Sequence, residues 1–433
     1  MAVKTWTQTS GNLWSTAANW SGGTVPVDGD SVVFDNTSDA NCTIDNLGTF
    51  NDNVSINSGY DGVITQGSGV NISWGTFSQA AGTFTCASDA TYTCTTFSVT
   101  GGTFNQGGAF TSTTFGCTSN GIYVGSSATM STTTVTFSGT SNLTATSGTW
   151  SINGSMTKTN SPTWSANSGT LRFTGNGNID MSGLTLNLVQ IAATGTITVS
   201  SGTTAPLGAN PTTSTGGSNG ITINGTVTAS GTWNQTGQAG ANAIAINVLS
   251  SGTISGALTD VVITNGGWQA ASSTTIPSGL NITITTGFAC SFAGGGKTYG
   301  TVRIIPSASV AVSFTGSNTF STLRCNDGSF AMTLTFTAAT TQTISTFSVA
   351  GASGKPVTLR SATVGSAWVL TTASGAKTAS HCIIQDSTVD ASPTWTADSN
   401  SANGGGNTNW LGFFVGGGGS GGGGSRGRVR QSS

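Results

Sequence analysis

Catalysis needs acids, bases, nucleophiles or metal ligands brought close together, and this 433-residue chain offers few of them. It has fourteen aspartates, no glutamate, one histidine and seven cysteines. Glycoside hydrolysis takes two carboxyls about 5 to 10 Å apart. Asp386 and Asp390 are candidates, but on one extended strand they would stand about 13 Å apart. Asp398 could approach them through a loop. Asp180 and Asp260 are the only acids between Asp89 and Asp327, and a regular coil repeat would set them about 19 Å apart along its axis. A calcium-dependent lyase needs clustered acids beside a base, whereas Lys297, Arg303 and Arg324 lie in a stretch nearly free of acids.

The histidine, His381, adjoins Cys382. Neighbours on a strand point to opposite faces, so the two do not form a Cys–His pair, and His381 reads as an ordinary strand residue. No phosphate loop, dinucleotide fingerprint or zinc spacing is present. The expectation is therefore a non-enzyme with no catalytic residue, cofactor or metal. Two alternatives stay open: an active site built between subunits, and a calcium loop formed by Asp28, Asp30 and Asp35.

The elements that would hold such residues follow from composition. Only 6% of residues are charged and the net charge is −2, while 35% are hydrophobic. Disordered chains show the reverse balance, so residues 1–415 should be ordered. Without Glu, and with Lys scarce, long helices lack their usual formers. Abundant Thr, with Val, Ile and Phe, suits strands. The fold class is all-β. The start, MAVKTWTQTSG, has no apolar signal-peptide core, and no apolar run reaches membrane-spanning length. Cys42, Cys86, Cys94, Cys117, Cys290, Cys325 and Cys382 are odd in number and form no disulfide framework by spacing. Folding in a reducing cytoplasm is the expectation.

A repeat then sets the architecture. TFSQAAGTF begins at Thr76 and TFSVTGGTF at Thr96; TFS recurs at Thr136, Thr319 and Thr346. Gly-Thr followed by an aromatic or aliphatic residue recurs at Gly82, Gly102, Gly148, Gly169, Gly231 and Gly252. A period of about 20 to 23 residues suits one coil of a parallel β-solenoid, a right-handed β-helix. Phe77 should lie over Phe97 and Phe84 over Phe104, about 4.8 Å apart; Cys94 and Cys117 could stack likewise, as small apolar core residues. Roughly 16 coils over residues 40–385 would make a rod near 75 Å. The expected divisions are an N-terminal cap at 1–40, a solenoid at 41–255, a second solenoid section with a closing coil at 256–415, and a Gly/Ser-rich linker with a basic tail at 416–433. Residues 209–220 look like a longer loop or a break between sub-arrays. The tail carries Arg426, Arg428 and Arg430, weak grounds for nucleic-acid binding. Its form matches common engineered linkers.

The opening stretch GNLWSTAANWSGGTVPVDGDSVVFDN holds the cap. An end coil must cover the open core and discourage edge pairing. Trp6, Trp14 and Trp20 can cover; Asp28, Asp30 and Asp35 can keep that end soluble. Seven of the fourteen aspartates fall at or before Asp61, where a cap is expected.

This stretch is similar to a motif of bacterial β-solenoid surface proteins, including autotransporter-type passengers: Trp14, Asn19-Trp20, Gly22-Gly23, Pro26, Gly29-Asp30 and Val32-Val33-Phe34. At the other end, GKPVTLRSATVGSAWVL, HCIIQDSTVD and GGNTNWLGF resemble the terminal coil of phage-encoded and bacterial β-helix proteins, with Trp410 as the closing residue. The resemblance covers about 90 residues. It implies a structural or adhesive role. The leading expectation is a phage fibre or surface protein, made in the host cytoplasm and carried on the virion. Its partners would be other virion proteins, host surface glycans and two further copies in a trimer, with no nucleic acid and no membrane insertion. The alternatives are a bacterial surface adhesin and a polysaccharide depolymerase. No catalytic residue carries over.

Overall fold

The computed structural model describes residues 2–48, 50–216, 220–237, 239–325 and 327–413. The basic tail with Arg426, Arg428 and Arg430 lies outside the described residues, as do positions 217–219 of the 209–220 loop. The chain is an all-β parallel solenoid of about 18 turns, which at strand spacing makes a rod of about 86 Å. Among the described residues the one helical element is a 3-10 turn at Ala17–Asn19.

Alternation explains the strands. Tyr92–Val99 buries Tyr92, Cys94, Phe97 and Val99 and turns Thr93, Thr95 and Thr96 outward. Its inward residues cannot be covered within one coil, so each coil is completed by the next. One sheet runs from Val3–Thr5 to Ala402–Gly405 along the whole rod. A second face is built by seven strands from Cys42–Ile44 to Thr163–Ser165, and then by an eleven-stranded sheet from Thr204–Ala209 to Ser387–Val389.

The cross-section therefore changes between these two sheets. The change begins in the last coil of the seven-stranded sheet, where the long strand Met130–Phe137 pairs with two shorter ones, Thr149–Ile152 and Met156–Lys158. Pairing continues on both sides of residues 255 and 256, with a register shift in each ladder: Ile246 is the partner of Trp268, and Trp233 of Val261. Just before residue 256, the strand Thr253–Ser255 pairs with Thr226–Thr228 on one side and continues on the other only as the bridge Thr253–Thr275.

The repeat is in register where it is cleanest. Thr76, Phe77 and Ser78 are partners of Thr96, Phe97 and Ser98. The Phe77 and Phe97 rings stack with centroids 5.4 Å apart, and Phe115 continues the column at 5.0 Å. Elsewhere the motif slips. The Thr136 copy lands two residues along, so that Phe137 pairs with Cys117 and Val135 with Phe115. A two-residue slip keeps the inward face, so an irregular period still builds one core.

The same irregularity corrects the expected cysteine stack. Cys94 pairs with Trp74 and Ser112, whereas Cys117 pairs with Val99 and Phe137. They occupy different rungs of an eight-residue strand. All seven cysteines are free and buried, and burial pushes the Cys94 and Cys117 thiols up to about 12.

Tight turns join the faces. Gly82 and Gly102 have φ of 62° and 68°, and a Cβ on Gly102 would stand 2.3 Å from the Gly82 carbonyl oxygen. Only glycine fits a stacked left-handed corner of this kind.

The N-terminal end is closed by the tryptophans. Trp6, Trp14 and Trp20 are almost fully buried. The Trp14 and Trp20 rings meet edge to face at 4.6 Å, and Trp6 and Trp20 do so at 5.1 Å. An antiparallel bridge from Trp6 to Trp20 folds the segment across the first coil. Trp20 Nε1 donates to the Trp14 carbonyl at 2.7 Å, and Trp6 Nε1 to that of Ala40 at 3.0 Å. Ser15 donates from its backbone N–H and its hydroxyl to Asp45, at 3.0 and 2.5 Å, tying the cap to the first coil. At the other end Trp410 pairs with Trp395, and its Nε1 donates to Ser387 Oγ at 3.0 Å.

Candidate functional site

The three C-terminal aspartates occupy corners, each fastened to the preceding coil. Asp386 and Asp390 flank the strand Ser387–Val389 instead of sharing an extended run. Asp386, with φ of 50°, accepts from the Gly365 N–H at 3.0 Å. Asp390 accepts from the Thr372 N–H at 2.8 Å. Asp398 accepts from the hydroxyls of Ser380 and Ser401 at 2.5 and 2.8 Å, and from the His381 N–H at 3.3 Å. Asp180 and Asp260 lie on strands of different sheets.

His381 lies in a left-handed bend, with φ of 50°, just before the strand Cys382–Gln385. It was expected on a strand; the corner between two sheets takes it instead. Its Nδ1 is 3.1 Å from Ser380 Oγ, whereas the Cys382 thiol is buried and pushed up to about 12 by that burial.

Ser380 was missed by sequence reasoning. It joins His381 and Asp398 in a serine, histidine and aspartate grouping that only the coil register reveals, because Asp398 is 18 residues further on. The order of contacts is unsuited to nucleophile activation. The hydroxyl donates to a carboxylate that, although burial raises it, is held at about 2 by hydrogen bonds from Ser380, Ser401, Asn400 and His381. So acidic a group accepts a proton poorly at neutral pH. The grouping works as a corner staple.

The cap aspartates do not converge either. Asp30 accepts from the N–H groups of Ala2 and Val27, both at 3.2 Å; Asp35 accepts from that of Thr37 at 2.8 Å; Asp28 is exposed. Among the described residues no three His, Cys or Asp side chains are grouped to hold a metal ion.

A different feature gathers functional groups. Ser73, Thr93, Thr111 and Ser131 are successive register partners on the outer face of the long sheet. Two positions along, Thr95, Thr113 and Thr133 form a second outward row, extended by Asn153 and Thr174. Between the rows runs the backbone of Trp74, Cys94, Ser112 and Thr132, whose side chains are buried. The result is a trough of about 500 Å³ crossing several coils, with no charged residue in its lining. Each hydroxyl can donate once and accept twice, and the rows repeat at the strand spacing of about 4.8 Å. This surface offers hydrogen bonds to a neutral polyhydroxylated partner. Sequence composition indicated the hydroxyls; the two-row arrangement required the register. No family model, curated protein or solved structure matches this chain.

Proposed function

We propose that this chain is an elongated structural protein of a virion, a phage fibre or surface protein that projects from the particle and contacts host surface glycans. The observation that carries the reading is the single parallel sheet running from Val3–Thr5 to Ala402–Gly405. A continuous ladder makes a stiff spacer, and here it carries an uncharged, hydroxyl-lined trough on its side. Neutral sugars suit such a surface, because hydroxyl and amide groups exchange hydrogen bonds with sugar hydroxyls without desolvating a charge. The resemblance of both ends to phage and bacterial β-helix proteins supports the same role, with other virion proteins as partners and a trimer as the assembly.

The test is mass spectrometry of purified virions from the source, with antibody-labelled electron microscopy. Stoichiometric copies on the particle are expected, with one end free. Absence from particles together with presence on cell envelopes would overturn the virion role and favour a bacterial adhesin.

A further inference from the structure

Like charges on directly paired strand positions destabilise a sheet. Arg303 and Arg324 stand in that relation: they are register partners on adjacent coils of the eleven-stranded sheet. Their chain neighbours Val302, Ile304, Leu323 and Cys325 are buried, so both arginines point outward. The ladder continues to Thr283 on one side and Ser348 on the other. Two guanidinium groups are thus rooted about 4.8 Å apart, with a hydroxyl residue on each side of the pair. Asp327 lies close enough to feel Arg303; its carboxyl is held below the usual range first by hydrogen bonding to Ser329 and in smaller part by that guanidinium. One carboxylate beside two cations leaves the patch positive. Guanidinium groups bind carboxylates and similar planar oxyanions through paired N–H donors.

We infer that the Arg303–Arg324 pair binds an oxyanion substituent, a carboxylate or a sulfate, of an acidic glycan. This rests on the reading of the protein as a glycan-contacting rod and adds a second, charge-selective contact on a different sheet from the neutral trough. An acidic sugar would place its anion between the two guanidinium forks and its hydroxyls against the flanking Thr and Ser positions. The anion offsets the repulsion between the arginines, so binding should also stabilise the fold.

The experiment is calorimetric titration of the full chain at low salt with hexagalacturonate, a sulfated galactan oligosaccharide, maltohexaose and a short oligodeoxynucleotide. At least one of the two acidic oligosaccharides should bind, and which one does identifies the oxyanion. Arg303→Gln and Arg324→Gln should each weaken that binding about tenfold, and added salt should weaken it further. Asp327→Asn should tighten it. Thermal melts of both Arg variants beside the parent, with binding measured well below each midpoint, separate lost binding from lost folding. Unchanged binding in both Arg variants, or preference for the oligodeoxynucleotide, overturns the inference. Maltohexaose binding that is lost in Thr113→Val, with no acidic oligosaccharide bound, leaves the glycan reading standing and removes this one. No binding of any oligosaccharide removes both.

Discussion

The Phe104 ring lies flat on that of Phe84, with centroids 5.2 Å apart and 5° between their planes. Tyr123 continues the column on the next coil at 5.7 Å and 5°. In a solenoid each coil is buried by its neighbours, so a ring in such a column has partners on both sides, and Phe104 also meets Phe97 edge to face at 4.7 Å.

Phe104→Ala should therefore cost about 3 to 5 kcal/mol, while Phe104→Leu, which fills more of the space, should cost less. Urea unfolding followed by circular dichroism reads this. An Ala variant with an unchanged midpoint would show that the column is not closely packed.

Removal of residues 1–36 strips away Trp6, Trp14 and Trp20 and uncovers the core around Phe50, Trp74 and Tyr60. It also frees the edge of the strand Asn53–Ile56. Self-association should follow, because an open apolar end with unpaired strand edges templates pairing. Light scattering reports it directly. A soluble, monodisperse truncation would sink the idea that this segment is a cap.

Stability should fall in acid within a defined window. Asp398 titrates at about 2 in the folded chain, and Asp45 is also lowered, because the Ser15 hydrogen bonds outweigh its burial. A carboxyl whose folded pKa is depressed adds stability that is fully present above its unfolded value of about 3.9 and is lost as pH falls toward the folded value. The thermal midpoint should hold from neutral pH to about 5 and drop between about 4 and 2. Asp398→Asn should lower the midpoint at pH 7 and flatten that drop. Parallel pH profiles for parent and variant would assign the acid loss to other groups.

The legible parts of the sequence were those that repeat locally. The TFS and Gly-Thr-Phe copies near Thr76 and Thr96 announced the coil, and their phenylalanines do lie one over the other. The Trp and Asp enrichment before residue 40 pointed to an end, and the tryptophans there are buried over the first coils. What was hidden depended on coil length. Cys94 and Cys117 looked like a pair at one period's distance, yet the coil after Tyr92 is short, and Ser112 takes the place beside Cys94.

The groupings of polar side chains, the two-row trough included, were hidden for the same reason. Ser380 and Asp398, or Arg303 and Arg324, are distant in sequence and become neighbours only when a turn closes at one length and not another. By itself the sequence determined the class, the inward and outward faces of each strand, and the near absence of charge, because these follow from side-chain type and a period of two. Tertiary structure decided which residues of successive coils meet, where the cross-section changes, and whether an aspartate is a free acid or a staple. Those outcomes depend on loop lengths and on hydrogen bonds to the preceding coil, which no single coil's sequence contains.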